Sequence, residues 1–252
     1  MIDFATIVEH ETAAMADLLE SLSPEIMVPT CPGWSVADLG AHLTAVQSVF
    51  AEAVESRATE PVDVEPARPA DGEIPPALRA AGRRLVAALR SAPEGAETMT
   101  WAGLQPVSWS ARRQAHEVLI HHVDAKRAAG LDAAIDRELA AAGIDELAEW
   151  HHGPAPEWAT WTPSRAVLVE QSDGDRAWRI ERGHLSGTSP NTGASYDLTT
   201  VCFVEPGPTE AVVRAGASDL DLWLWRRLPF GAVEVDGDRA LAGAVYEDLV
   251  VD

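Results

Sequence analysis

The chain has 252 residues, of which 40 are acidic and 19 are basic, so its formal net charge is −21. This charge repels phosphate backbones and anionic lipid surfaces, and we therefore expect neither nucleic acid nor membrane to be a main partner. The sequence shows no apolar run long enough for a membrane span and no secretory signal, and its two cysteines do not suggest a disulfide framework, so we expect a cytoplasmic protein.

The first 150 residues predict a helical domain. Ser35 followed by Asp38 is typical of a capping box at the start of a helix, and Gly130 is typical of a helix end. Proline and acidic residues dominate the predicted loop at 59–76. Apolar residues at helical spacing predict helices over 3–22, from Ser35 through at least Ala53, over about 76–91, over a segment that ends near 129, and over 133–150.

The pattern changes after residue 152. Short runs rich in β-branched and aromatic residues, separated by Gly, Pro and Asn turn signals, predict strands at 167–169, 177–180, 198–204, 211–213 and 233–235. Helical spacing returns at 217–228 and 239–249. We therefore predict an α+β protein, with a helical domain over residues 1–152 and a small α+β domain over residues 153–252.

Three polar residues on the predicted helices could bind one metal ion. Glu117 and His121 are four residues apart and so share one helix face, and His42 interrupts the apolar stripe of an earlier helix. Taken singly, each has an ordinary explanation as a hydrogen-bonded core histidine or an exposed helix pair. Together they favour a metal site, because an unpaired buried carboxylate is costly and three protein ligands leave one coordination position open.

The neighbours of these residues have less specific roles. Asp124, three residues after His121, could orient its imidazole or could be an ordinary acid on the helix surface. His116 and His122 are each one step away from the ligand face, so we expect them to support the ligands or to face solvent. Cys31 lies in the turn before a helix, where we expect a structural role.

The sequence contains nine tryptophans, three of which lie near these motifs. Trp34, Trp101 and Trp109 could line an apolar pocket beside the site. Packing in a core is the more common use of tryptophan, so both alternatives stay open.

Two motifs, CPGWSVADLGAHL at 31–43 and RQAHEVLIHHVDA at 113–125, carry a family resemblance. They resemble the mycothiol-dependent maleylpyruvate isomerase family, and the resemblance extends over nearly the whole chain. It implies a DinB-like, metal-binding four-helix bundle followed by a small α+β C-terminal domain. It also implies one divalent metal ion, most often Zn²⁺, on His42, Glu117 and His121.

The same resemblance implies a reaction class. Members of the family use mycothiol or a similar thiol as cosubstrate, and the metal would lower the pKa of the thiol and hold a thiolate. The expected function is therefore isomerisation or S-transfer on a small electrophilic substrate, acidic or neutral. The resemblance also implies that an arginine of the C-terminal domain binds the substrate, and this role falls at Arg226 or at its neighbour Arg227. Arg226 could instead be a helix-end cation favoured by the helix dipole.

Two functions of other classes remain as alternatives. One is a metal-dependent hydrolase, and the other is a non-catalytic protein that binds or senses a small molecule. A thiol-dependent activity should disappear without added thiol, whereas a hydrolase should be indifferent to it and a sensor should bind without turnover. The oligomeric state, the thiol and the substrate are not specified by the sequence.

Overall fold

The computed structural model describes residues 2–190 and 192–249, and the chain forms two compact units, the first ending at Ala133 and the second beginning at Ala134. The first unit is a four-helix bundle, as predicted, because α1 and α2 each pack against both α3 and α4. Over the described ranges, none of the helices has the length and apolar composition of a membrane span. The helices are α1 (Phe4–Glu20), α2 (Val36–Ser56), α3 (Ile74–Ser91) and α4 (Val107–Ala128).

The ends of α2 and α4 form as the sequence predicts. The Ser35 hydroxyl accepts a hydrogen bond from the Asp38 backbone N–H at 3.2 Å, and the Asp38 carboxylate accepts one from the Ser35 N–H at 3.0 Å, which completes the capping box. Gly130 has a φ of +70°, and the chain turns out of α4 there. These two features fix where the helices begin and end relative to His42 and His121.

A β-hairpin that we did not predict precedes α4. It consists of β1 (Glu97–Thr100) and β2 (Gly103–Pro106), which pair antiparallel. The Thr98 hydroxyl donates to the Ala53 carbonyl at 2.7 Å, and the Met99 N–H donates to the Ala58 carbonyl at 2.6 Å. Strands of four residues carry too little alternation to be recognised in the sequence, and these bonds to α2 and the residues after it stabilise the hairpin.

In its described residues, the second unit joins a mixed five-stranded sheet to three α-helices, so the α+β class is confirmed. The order of strands is β5-β4-β3-β6-β7; β3 pairs antiparallel with β4 and parallel with β6, and the pairs β4/β5 and β6/β7 are antiparallel. The elements are α5 (Arg137–Glu146), a π-helical turn (Leu147–His151), β3 (Ala159–Gln171), β4 (Ala177–Thr188), β5 (Ser195–Val204), β6 (Ala211–Ala215), α6 (Ala217–Leu224), β7 (Glu234–Gly237) and α7 (Arg239–Asp248).

Several elements of the second unit differ in length from their predictions. β3 begins at Ala159, whereas the sequence predicts a start at residue 167. The prediction missed the first half of the strand because that half is mostly exposed and lacks the apolar alternation that marks a half-buried strand. α6 ends at Leu224, because Arg226 adopts a left-handed φ of +62°. α5 packs against α6 and so belongs with the second unit, and the domain boundary after residue 152 stays a prediction.

Candidate metal centre

Helices α2 and α4 bring the three predicted ligands together. Nε2 of His42 lies 2.9 Å from Oε1 of Glu117, and Nε2 of His121 lies 3.4 Å from the same oxygen. The ligand atoms of the three residues all lie within 4.8 Å of one another. Two ligand atoms that each lie about 2.0–2.1 Å from a tetrahedral zinc ion are about 3.3 Å apart, so the residues present fit such an ion.

The electrostatics of the site favour an ionised Glu117. Burial alone raises the pKa of this carboxyl, but the Arg113 guanidinium, which forms an ion pair with its Oε2, and hydrogen bonds from His121 and His42 hold the pKa well below its usual range. Burial lowers the pKa of His121, yet hydrogen bonds with Asp124, Cys31 and Glu117 raise it well above its usual range. Glu117 is therefore an anion that can bind a cation without first losing a proton.

Asp124 orients the imidazole of His121, which confirms the first of its two predicted roles. Oδ2 of Asp124 lies 2.9 Å from Nδ1 of His121, and the residue is fully buried. Its carboxylate accepts hydrogen bonds from the Thr30 hydroxyl at 2.5 Å and from the Cys31 thiol at 3.3 Å. With Nδ1 engaged in this way, Nε2 of His121 is directed towards Glu117 and is available as a ligand atom.

Cys31 lies on the Asp124 side of the His121 ring. Its sulfur, the His121 imidazole and the Asp124 carboxylate offer a second group of metal-competent atoms within 4.8 Å of one another. Both groups share His121, whose Nε2 lies near Glu117 and whose Nδ1 lies near Asp124. The contact between Cys31 and Asp124 makes the thiol part of the network that holds the imidazole.

Trp34 forms an apolar wall beside both histidines. Its ring stacks on that of His121, with centroids 6.1 Å apart and an angle of 27° between the planes. The centroid of the His42 ring lies 4.8 Å from that of Trp34 and 5.0 Å from that of His121. The indole covers part of each imidazole, and apolar cover of this kind strengthens electrostatic interactions beside it.

The other histidines of α4 lie off the ligand face, as predicted. Nδ1 of His122 lies 2.7 Å from a carboxylate oxygen of Glu11 on α1. Both His116 and His122 are buried, so the alternative that they face solvent is wrong. The bundle surrounds α4 on these sides, and His122 is partnered by an acid from a neighbouring helix.

Arg226 follows α6 in the second unit. Its guanidinium lies 4.0 Å from the centroid of the Tyr246 ring, donates a hydrogen bond to the Tyr246 carbonyl, and lies 3.5 Å from the Glu247 carboxylate. The side chain is one-third exposed. Its role in substrate binding stays a prediction, and these contacts describe how the second unit holds the residue.

The sequence did not indicate a role for two residues of the site. Arg113 lies one helical turn before Glu117, and the sequence spacing alone could have identified it as a partner for the carboxylate. Thr30 contacts Asp124 across a separation of 94 residues, and no local pattern indicates such a contact.

Comparisons with known proteins agree with this architecture. Residues 8–126 match the family model described as the mycothiol maleylpyruvate isomerase N-terminal domain, and residues 138–244 match the one described as the MDMPI C-terminal domain. Comparison of the sequence with curated proteins finds no match.

Two solved structures share the fold. One is a histidine-to-alanine variant of the mycothiol-dependent maleylpyruvate isomerase, with 17% sequence identity, a TM-score of 0.59, and 93% of this chain and 92% of that chain covered. The other is the mycothiol-dependent maleylpyruvate isomerase, with 18% identity, a TM-score of 0.55, and coverage of 90% and 89%. Since the two family models together account for most of the sequence, the chain belongs to the mycothiol maleylpyruvate isomerase family.

Proposed function

We propose that this protein is a metal-dependent enzyme that uses a low-molecular-weight thiol of the mycothiol type to isomerise a small electrophile or to transfer sulfur to it. The observation that supports the proposal is the convergence of His42, Glu117 and His121 within 4.8 Å, in a member of the mycothiol maleylpyruvate isomerase family. Two imidazole nitrogens and a carboxylate oxygen are a donor set typical of catalytic zinc, so we propose Zn²⁺ as the metal.

A bound divalent ion would supply a Lewis acid that lowers the pKa of an external thiol and favours its thiolate. The residues of the chain prepare the site for this role. Asp124 fixes the ring orientation of His121, and Arg113 holds the second oxygen of Glu117. Trp34 packs its ring beside both histidines.

The external thiolate would act as the nucleophile. In an isomerisation, its sulfur adds to one carbon of a conjugated double bond, rotation follows about the resulting single bond, and expulsion of the same thiolate restores the double bond. In an S-transfer, the sulfur remains on carbon and a leaving group departs with the electron pair. A reduced small-molecule thiol as cosubstrate also supports a cytoplasmic location, which we include in the proposal.

We further propose that Arg226 binds a carboxylate of the substrate when the substrate is acidic. The Arg226→Ala variant should then raise KM for an acidic electrophile more than it lowers kcat, because the lost contact would bind substrate and transition state alike. Equal kinetic constants for acidic substrates in wild type and variant would show that Arg226 does not bind the substrate.

The proposal is tested by metal analysis of three proteins. Wild type should retain about one metal ion per chain after gel filtration, and His121→Ala should lose it. His122→Ala is the matched control, since this neighbouring buried histidine contacts Glu11 instead of the ligand set, and it should retain the ion. Absence of stoichiometric metal from wild type, or its retention by His121→Ala, would refute the site.

The thiol is tested on the cobalt-substituted protein. Titration with mycothiol should change the visible d–d bands of cobalt and add sulfur-to-cobalt charge-transfer absorption in the near ultraviolet. A metal centre with no response to mycothiol or to glutathione would refute the thiol mechanism while leaving the metal site. Turnover that persists without thiol would instead indicate a hydrolase, and ligand binding without turnover would indicate a binding protein.

A further inference from the structure

The first unit contains an apolar cavity of about 260 Å³ that the proposed mechanism does not use. It lies among α2, the loop after it and the hairpin, and its lining side chains are uncharged. The hydroxyl of Thr100, one of the lining residues, donates to the Gly103 carbonyl at 2.9 Å and so is already engaged. The side chains that define the cavity include those of Val49, Phe50, Val62, Met99, Thr100 and Trp101.

Helix α2 connects this cavity to the proposed ligands. Val46 and Val49 follow His42 by four and seven residues, so they share its helix face, and Val49 lies about 10 Å from it along the axis. All three are only partly buried, whereas Leu43 on another face is fully buried. An apolar and partly open surface therefore runs along α2 from His42 to the cavity.

Helix α4 makes the same connection from the other side. The Trp101 ring of the cavity contacts the Trp109 ring at the start of α4, with centroids 5.4 Å apart. Trp109 precedes Glu117 by eight residues, or about 12 Å along the helix, and Arg113 lies halfway between them. The two helices thus place the ligand set and the cavity about two turns apart.

We propose that this cavity binds the apolar part of the electrophilic substrate, whose reactive carbon then lies towards His42 and Glu117. The proposal rests on the proposed function and narrows its substrate class to an electrophile that carries an uncharged aromatic or alkyl group. An engineered cavity of about 150 Å³ binds benzene, so this one has room for a substituted ring or an alkyl ester. A carboxylate would lose its hydration there with no cationic lining residue to compensate.

The cavity is tested first with N-phenyl-1-naphthylamine, a neutral probe that fluoresces in apolar surroundings. Wild type should bind it, and Val49→Trp, which fills the cavity, should weaken binding by about tenfold or more. Leu131→Trp is the matched control, because it adds the same indole at an exposed position of the first unit, and it should bind as wild type does. Equal affinities of wild type and Val49→Trp would overturn the proposal.

The substrate class is tested by displacement of the probe. Diethyl succinate, a neutral and unreactive diester, should displace it, and succinate, the matching dianion, should not. Displacement by succinate at the same concentration as by the diester would overturn the assignment of the cavity to an uncharged group. The Met99→Ala variant enlarges the cavity and should favour dibutyl over diethyl succinate relative to wild type, which gives a second test if Val49→Trp does not fold.

A distance measurement separates this inference from the proposed function. On the cobalt-substituted protein, the protons of bound diethyl succinate should relax faster than on the zinc protein, because the cavity lies about 10 Å from the ligand set. Equal relaxation on both proteins would overturn the inference and leave the metal site intact. Failure of wild type to bind metal would refute the proposed function, and probe binding would still report on the cavity.

Discussion

The two ends of the α2/α4 pair differ in chemistry. The ligand end, defined by His42, Glu117 and His121, is polar, and each of its side chains has a hydrogen-bonding partner. The cavity end, defined by Val49 and the hairpin residues Met99 and Trp101, is apolar and contains unfilled space. One end is suited to holding a charge in a fixed geometry, and the other to accepting a group by its size. We infer that catalysis and substrate selection can be altered separately.

The largest expected effect is at the ligand end, in Glu117→Gln. The amide loses the charge that faces both histidines, and metal affinity should fall by more than about 100-fold, since loss of even an outer partner of a ligand costs about 10–100-fold. Glu11→Gln is the matched control, because Glu11 also contacts a buried histidine of α4, His122. It should leave the affinity unchanged, as measured by competition with a chromophoric chelator.

Equal losses in Glu117→Gln and Glu11→Gln would contradict the assignment of the ligand end. They would indicate that any carboxylate–histidine pair in the bundle affects metal binding through stability alone. Probe binding at the cavity end should be the same in both variants, and a parallel loss there would show that the two ends are not independent.

A smaller effect is expected in Asp124→Asn, which keeps the size of the side chain. An amide oxygen is a weaker acceptor for Nδ1–H of His121, and the amide nitrogen can favour the wrong ring tautomer. Metal affinity should therefore fall by about 10–100-fold. The same chelator competition measures it, and an unchanged affinity would show that Thr30 and Cys31 hold Asp124 for structural reasons only.

The cavity end should respond to Thr98→Val, which removes the hydrogen bond from the hairpin to the Ala53 carbonyl. The loss of one buried hydrogen bond should cost about 1 kcal/mol in the free energy of unfolding, measured with urea. Binding of the naphthylamine probe should weaken, because the hairpin carries Met99 and Trp101. Metal affinity should stay constant, and a change in it would contradict the separation of the two ends.

The two ends also differ in how far the sequence reveals them. His42 was recognisable because a polar residue in an apolar stripe is unexpected, and Glu117 with His121 because helix geometry makes four-residue neighbours adjacent. The capping box at Ser35 depends on a local interaction and was likewise predictable. Each of these inferences uses only the period of a helix and the nearest residues in the chain.

The cavity could not be predicted, for a physical reason. Val49 continues the apolar stripe of α2, which predicts burial in a core, and yet it is only partly buried beside an open space. Whether such a stripe is packed or left open depends on the hairpin and on the loop after α2, which approach it through long-range contacts. The bond from Thr98 to Ala53, across 45 residues, is one of these contacts and has no local signal.

The smallest expected effect concerns Glu11 and His122. Like the ligand end, they pair a carboxylate with a histidine of α4, but among the described residues they belong to no group of three metal-competent side chains. The hydrogen bond with His122 lowers the pKa of Glu11 from its ordinary value of 4.5, against the effect of burial. A carboxyl whose pKa is lower in the folded state stabilises that state above pH 4.5 and loses this contribution as the pH falls through the folded pKa.

Metal-free wild type should thus exceed Glu11→Gln in free energy of unfolding by about 1 kcal/mol or less at pH 6, as urea unfolding would measure. The effect is small because the pair is partly exposed. The difference should shrink below pH 4.5, and a difference that grew on acidification would show that the pair does not stabilise the bundle through the Glu11 carboxylate.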